Sequence, residues 1–140
     1  MKILKRIGII DIGSNSIRLV VFDGPKRSPL YLYNEKVFFR LGMQSLGKKA
    51  FNTATLDAVS RIIGRYVAIC RNMAIGKIIM FGTSALREAS NSDVLVEVIR
   101  KNTNIRVDGI SGEKEAFYEA QGILLGFPKA EGIFCDLGGN

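Results

Sequence analysis

The chain has 140 residues, 47% of them hydrophobic and 24% charged, which suits one globular domain with a sizeable core. No run approaches the roughly 18 consecutive apolar residues of a transmembrane helix. Histidine is absent and the net charge is +7, so histidine triads, histidine general bases and almost all zinc enzymes are excluded, while a polyanionic partner is electrostatically welcome.

The first third predicts three strands. Lys5–Asp11 and Ser16–Phe22 are apolar runs on either side of a Gly13-Ser14-Asn15 turn, and Leu30–Leu41 alternates in part. Residues 24–29 form a loop by composition, and Gly42–Asn52 form a second that carries Gly47-Lys48-Lys49. From Thr53 the period changes: Leu56, Val59, Ile62, Ile63, Tyr66, Val67, Ile69, Cys70 and Met73 recur at helical spacing, with Asp57 placed in the first turn and Gly76 as the stop. Lys77–Gly82 reads as a short buried strand ending in Thr83-Ser84. A helical turn over Ala85–Ala89, a helix from Ser92 to Asn102 and a strand at Arg106–Ile110 follow. A last helix runs from Ser111 to about Phe127, where Pro128 forbids continuation, and Gly132–Asp136 reads as a final strand. The order predicts an α/β fold with a mixed sheet, an antiparallel meander followed by right-handed crossovers. Cys70 and Cys135 both lie in apolar patterns and are expected as buried free thiols. The start could pass for the charged region of a signal peptide, but Asp11 cuts the apolar run short, so a cytoplasmic protein is expected.

Chemistry concentrates at the first hairpin. An apolar strand ends on Asp11 and turns through Gly13-Ser14-Asn15-Ser16, small residues whose amides and hydroxyls suit phosphate oxygens. Asp11 then stands where Mg²⁺ or a water beside those phosphates is held. The plainer reading is a hairpin with a polar tip. Asp136-Leu137-Gly138-Gly139 repeats the acid-then-glycine construction; two such turns facing each other would clamp a phosphate chain, with Asp11 and Asp136 on Mg²⁺, although by itself the segment is only a turn signal. Arg87 follows a strand end closely enough to offer its guanidinium to the same edge, or it is a solvated helix arginine.

Five segments in order resemble the exopolyphosphatase/guanosine pentaphosphate phosphatase (Ppx/GppA) family. Asp11–Leu19 is similar to its first phosphate motif, and Arg40-Leu41-Gly42 to its Arg-Leu-Gly segment. Gly82–Asn91 is similar to its Thr-Ser-Ala-x-Arg-x-Ala element, and Ile110–Ala116 to its Ser-Gly-x-x-Glu-Ala element. Asp136–Gly139 resembles the opening of its second phosphate motif. The resemblance implies a ribonuclease H-like (actin-like ATPase) lobe with a mixed five-stranded sheet flanked by helices. Residues 1–130 would form that N-terminal lobe and residues 131–140 the first strand of a second.

It also implies hydrolysis of terminal phosphoanhydride bonds in polyphosphate or guanosine pentaphosphate, with Mg²⁺ as cofactor and a homodimer for the intact protein. No membrane partner is expected, and nucleic acid is disfavoured by the absence of a recognisable binding motif. An acid near a helix N-terminus is more often structural, as Glu113 and Glu119 illustrate, but the resemblance picks out Glu115 as the catalytic glutamate, with Glu113 the neighbour to exclude. It also favours Arg87 as a phosphate ligand. Asn140 stands where the family pattern has a third glycine, which puts metal binding by the second motif in doubt. Two other readings stay open: a sugar or acetate kinase lobe of the same fold, and a non-catalytic phosphate-binding module.

Overall fold

The computed structural model describes residues 6–24, 29–44 and 50–135. Its five-stranded sheet has the order β3-β2-β1-β4-β5. β1 (Ile7–Ile12) lies at the centre, antiparallel to β2 (Ser16–Asp23) and parallel to β4 (Lys77–Gly82). β3 (Leu30–Phe38) continues the antiparallel meander at one edge, and β5 (Val107–Gly109) pairs in parallel with β4 at the other. The helices are α1 (Leu41–Gln44), α2 (Thr53–Asn72), α3 (Ser84–Glu88), α4 (Ser92–Thr103) and α5 (Gly112–Gly126). The mixed sheet is the one expected from the order of elements, and its five strands flanked by helices match the ribonuclease H-like lobe that the resemblance implies. No helix among the described residues is long and apolar enough to cross a membrane.

Alternation in the two central strands decides which face is which. Ile10, Ile12, Ile17, Leu19 and Val21 are buried on one face, against Val59, Ile63, Tyr66, Val67 and Cys70 of α2 and Leu95 and Ile99 of α4. Burying each large aliphatic side chain contributes roughly 1.5–3 kcal/mol. Tyr66 is fully buried and its hydroxyl donates to the Ile17 carbonyl at 3.1 Å, so its polar end is satisfied inside the core. α2 and α4 are tied together by Arg71, which donates to the Thr103 carbonyl at 2.9 Å, and by the Asn102 amide on the Ser60 hydroxyl. Residues 7, 9 and 11 of β1 point to the opposite face.

The structure departs from the sequence reading in several places. β3 ends at Phe38, not Leu41, because Arg40 takes a left-handed φ of 49° and the chain turns straight into α1, within the expected loop. α2 is capped by the Asn52 side chain, which accepts from the Thr55 amide; it closes through Met73 and Ala74, the latter at φ 56°, ahead of Gly76. No acid lies in its first turn, so Asp57 is too far along to serve there. Residues 131–135 carry no strand, since a strand needs a hydrogen-bonded neighbour and none of the five sheet strands pairs with them. Cys70 is a buried free thiol, but Cys135 in that unpaired stretch is exposed. Lys5, Gly47-Lys48-Lys49 and 136–140 lie outside the described residues.

Gly82, the last residue of β4, has a packing reason to be glycine. A Cβ there would overlap Leu86 Cδ1 and come within 2.7 Å of its Cγ, while Leu86 is itself buried. Gly82→Ala is therefore expected to cost about 1–3 kcal/mol, as overpacking does, and to displace α3. Thermal unfolding followed by circular dichroism checks this. The expected signature is that Gly82→Ala and Leu86→Ala together cost less than the sum of the two singles, because removing Leu86 clears the clash; simple additivity would show that the two sites do not press on one another.

Candidate active site

The site is built at the carboxyl ends of β1 and β4. The β1–β2 turn is held from three sides. The Ile12 carbonyl accepts from the Thr83 amide at 3.2 Å, the Asn15 carbonyl accepts from Phe39 and Arg40 at 3.0 Å each, and the Ser14 carbonyl accepts from Gly42 at 2.8 Å. The Arg40-Leu41-Gly42 segment thus acts as a brace for the hairpin tip, with the left-handed Arg40 turning the chain and fully buried Leu41 anchoring it. Since C=O and N–H point oppositely across a trans peptide, the inward Ser14 carbonyl turns the Asn15 amide away from the brace. The Gly13 amide is spent within the turn, on the Ser16 carbonyl at 3.0 Å. A Cβ on Gly13 would sit 3.2 Å from that same carbonyl oxygen, which is the close approach that a small residue permits.

Ser14 is buried, and its hydroxyl shares a hydrogen bond with that of Ser84, the first residue of α3. Ser84 lies inside the Gly82–Asn91 family segment, yet no role for it was legible from the sequence. Its pairing with the hairpin is a contact across 70 residues, and only the segment's composition hinted at it. α3 also carries Arg87, whose Nη1 donates at 2.9 Å to the Ile110 carbonyl and at 2.9 Å to Oε2 of Glu115. Glu115 sits in the first turn of α5, which is capped by the Ser111 side chain accepting from the Lys114 amide. Glu113, on the same turn, is exposed, whereas Glu115 is half-buried. Geometry therefore separates the two acids that helix position alone could not.

Asp11 is an acid whose ionisation the fold opposes. Its carboxyl is raised to about 6, first by burial and then by the negative charge of Glu115, with Arg18 and Lys36 pulling the other way. Arg18 lies directly opposite Asp11 on β2, and Lys36 opposite Arg18 on β3, so the three occupy one row of the same face. Asp11 Oδ1 is buried with no hydrogen-bond partner among the described residues. An orphan carboxylate oxygen beside a second acid fits a hard cation. The described residues hold no group of three carboxylate, cysteine or histidine ligands, which is compatible with Mg²⁺, an ion usually bound by one or two carboxylates plus phosphate oxygens and water. Of the residues anticipated for the site, Asp11, Ser14, Arg87 and Glu115 are linked by these contacts and charges. Asn15 and Ser16 complete the hairpin tip, and Asp136, Gly138 and Gly139 lie outside the described residues.

The raised carboxyl has a consequence for stability. Because the folded chain holds the Asp11 proton up to about pH 6 and the unfolded chain only to about 3.8, this group's contribution falls as pH rises through that window. At neutral pH the ionised carboxylate costs about 2–3 kcal/mol. Asp11→Asn is expected to melt several degrees higher than the native chain at pH 7.5, with the gap closing as pH falls towards 4. Mg²⁺ should raise the melting temperature of the native chain but not of the variant. Equal melting curves at pH 7.5 without Mg²⁺ would show that Asp11 bears no such cost.

Comparison with known proteins gives the arrangement a family. The sequence profile of the Ppx/GppA phosphatase family matches residues 9–140. Exopolyphosphatase 1 of Mycobacterium leprae is 28% identical over 138 residues, covering 96% of this chain and 41% of the relative. The bifunctional 3-dehydroquinate synthase/phosphatase of Fusobacterium nucleatum is 28% identical over 141 residues, covering 94% of this chain and 21% of the relative. The chain thus spans less than half the length of these curated relatives. Among solved structures, an exopolyphosphatase from Cytophaga hutchinsonii superposes with a TM-score of 0.74 at 35% identity, over 80% of this chain and 36% of that one. With a profile match from Ile9 to the last residue and the braced acid-glycine hairpin at its start, the chain belongs to the Ppx/GppA phosphatase family.

Proposed function

We infer that this lobe serves hydrolysis of the terminal phosphoanhydride bond of inorganic polyphosphate or guanosine pentaphosphate, releasing orthophosphate. The observation that carries the reading is the orphaned Asp11 oxygen at the end of a phosphate-type hairpin, electrostatically coupled to Glu115. The family match and the activities named for the relatives point the same way.

Phosphoryl transfer to water asks the protein chiefly for positioning and charge stabilisation. Asn15, Ser16 and the Ser14–Ser84 hydroxyl pair supply donors for the terminal phosphate. Bound to Asp11, Mg²⁺ would supply charge neutralisation on the phosphate oxygens. Glu115 orients a water and accepts its proton as the water oxygen bonds to phosphorus; the bridging P–O bond breaks, and the shortened chain leaves with the electron pair. Arg18 and Lys36, on the same face as Asp11, offer positive charge to the remaining anion. The absence of histidine leaves a carboxylate as the natural base.

One observation favours a narrower role for these residues alone. α5 buries none of its side chains, and Phe117, Tyr118, Leu124 and Leu125 along it are exposed. A catalytic phosphate site needs water excluded around the reacting group. The 140 residues by themselves are therefore expected to bind phosphate weakly and turn over little.

The test is orthophosphate release from polyphosphate and from guanosine pentaphosphate with Mg²⁺, alongside phosphate transfer from ATP to sugars or acetate. It is run on the chain alone and on the chain joined to the carboxyl-terminal remainder of a longer family member. Glu115→Gln in the joined protein should lower kcat on the order of 10²-fold or more, while Glu113→Gln should leave it nearly unchanged. Transfer only from ATP to a sugar or acetate would overturn the assignment, and normal turnover by Glu115→Gln would show that another group is the base.

A further inference from the structure

The Arg87–Glu115 contact joins the two groups that the reaction needs apart. In the pair, Oε2 of Glu115 accepts from Nη1 of Arg87, so the oxygen that would face a water is occupied by the guanidinium. A guanidinium occupied by a carboxylate is correspondingly less available to phosphate. Yet the link is a single one, Nη1 to Oε2 at 2.9 Å, and both side chains are about a third exposed, so water weakens the pair and leaves it easy to exchange. Arg87 is held independently by its 2.9 Å bond to the Ile110 carbonyl, and Ile110 is pinned in turn by its amide on the Gly82 carbonyl at 3.0 Å. The guanidinium therefore has an anchor that survives loss of Glu115. A terminal phosphate carries more charge than a carboxylate and can engage the guanidinium fork through two oxygens.

We propose that the Arg87–Glu115 ion pair is a substrate-released latch: the terminal phosphate takes Arg87 from Glu115, and the freed carboxylate becomes the base. Resting on the phosphohydrolase reading, this makes Arg87 a positioning residue for Glu115 as well as a phosphate ligand. The exchange changes no covalent bond. Glu115 passes from a guanidinium neighbour to a water neighbour, and Arg87 from a carboxylate to a phosphate oxygen while keeping the Ile110 carbonyl. In the unliganded lobe the same pair holds α3 against the start of α5.

Tripolyphosphate binding to the 140-residue chain at fixed Mg²⁺ tests this without turnover. In the native chain, the Arg87 guanidinium nitrogen signals and the Glu115 carboxylate carbon signal should shift together during the titration, with one apparent Kd. Glu115→Gln should bind tripolyphosphate roughly 3- to 10-fold more tightly, because Arg87 no longer has to be won from a competitor. In the Arg87→Gln background that tightening should vanish. Were Glu115 merely repelling the anion, the tightening would persist or grow once Arg87 was gone, and the latch would be overturned. Movement of the Arg87 signals with Glu115 unmoved would overturn it too, since it would show Arg87 holding both partners at once. No binding of tripolyphosphate by the native chain would remove the phosphate reading itself and the latch with it. Binding without any change at the pair would overturn the latch alone.

Discussion

The full burial of Ile10 and Ile12 is the constraint on which the rest of the site depends. With a period of two along β1, packing these two against α2 and α4 leaves Asp11 no choice but the opposite face. A one-residue slip would put the carboxylate in the core and expose two isoleucines, a change worth many kcal/mol. Because β1 is central and paired on both sides, the position of Asp11 is set by the stiffest part of the sheet. Everything else in the site is brought to it: the hairpin tip by the Arg40–Gly42 brace, Ser84 and Arg87 by α3, and Glu115 by α5.

The price of that placement is a carboxylate with an unpartnered oxygen and a second acid for a neighbour. An amide side chain there would not bear the cost of ionising in that setting. Under the proposed function, a cation and a phosphate would satisfy the carboxylate. Arg18 and Lys36 offset part of the charge from the same face, and Arg87 offsets Glu115 from the other side. The two acids Asp11 and Glu115 thus stand among the three cations Arg18, Lys36 and Arg87.

The two faces of the sheet are treated unequally. One is covered by α2 and α4, while β3 exposes Leu30, Tyr31 and Phe38, and α5 exposes a run of aromatic and aliphatic side chains. The curated relatives are more than twice as long as this chain. Asp11 lies on the face opposite the one that α2 and α4 cover.

The alternation of β1 and β2, the helical period of α2 and the hairpin with its acid were all legible in the chain, because they depend on residues two, three or four positions apart. The same local spacing yielded the order of strands and helices, and with it the fold. Recognition of five segments in order supplied Glu115 and Arg87 as candidates. What the chain could not disclose were contacts between distant segments: Ser14 with Ser84 across 70 residues, Arg87 with Glu115 across 28, and Asn15 under Arg40. Cys135 was misjudged for a related reason, since an apolar stretch becomes a buried strand only if another strand stands beside it. Sequence determined which residues share a face; tertiary docking decided which faces meet, and the pairing of acid with guanidinium exists only once α3 and α5 are set side by side.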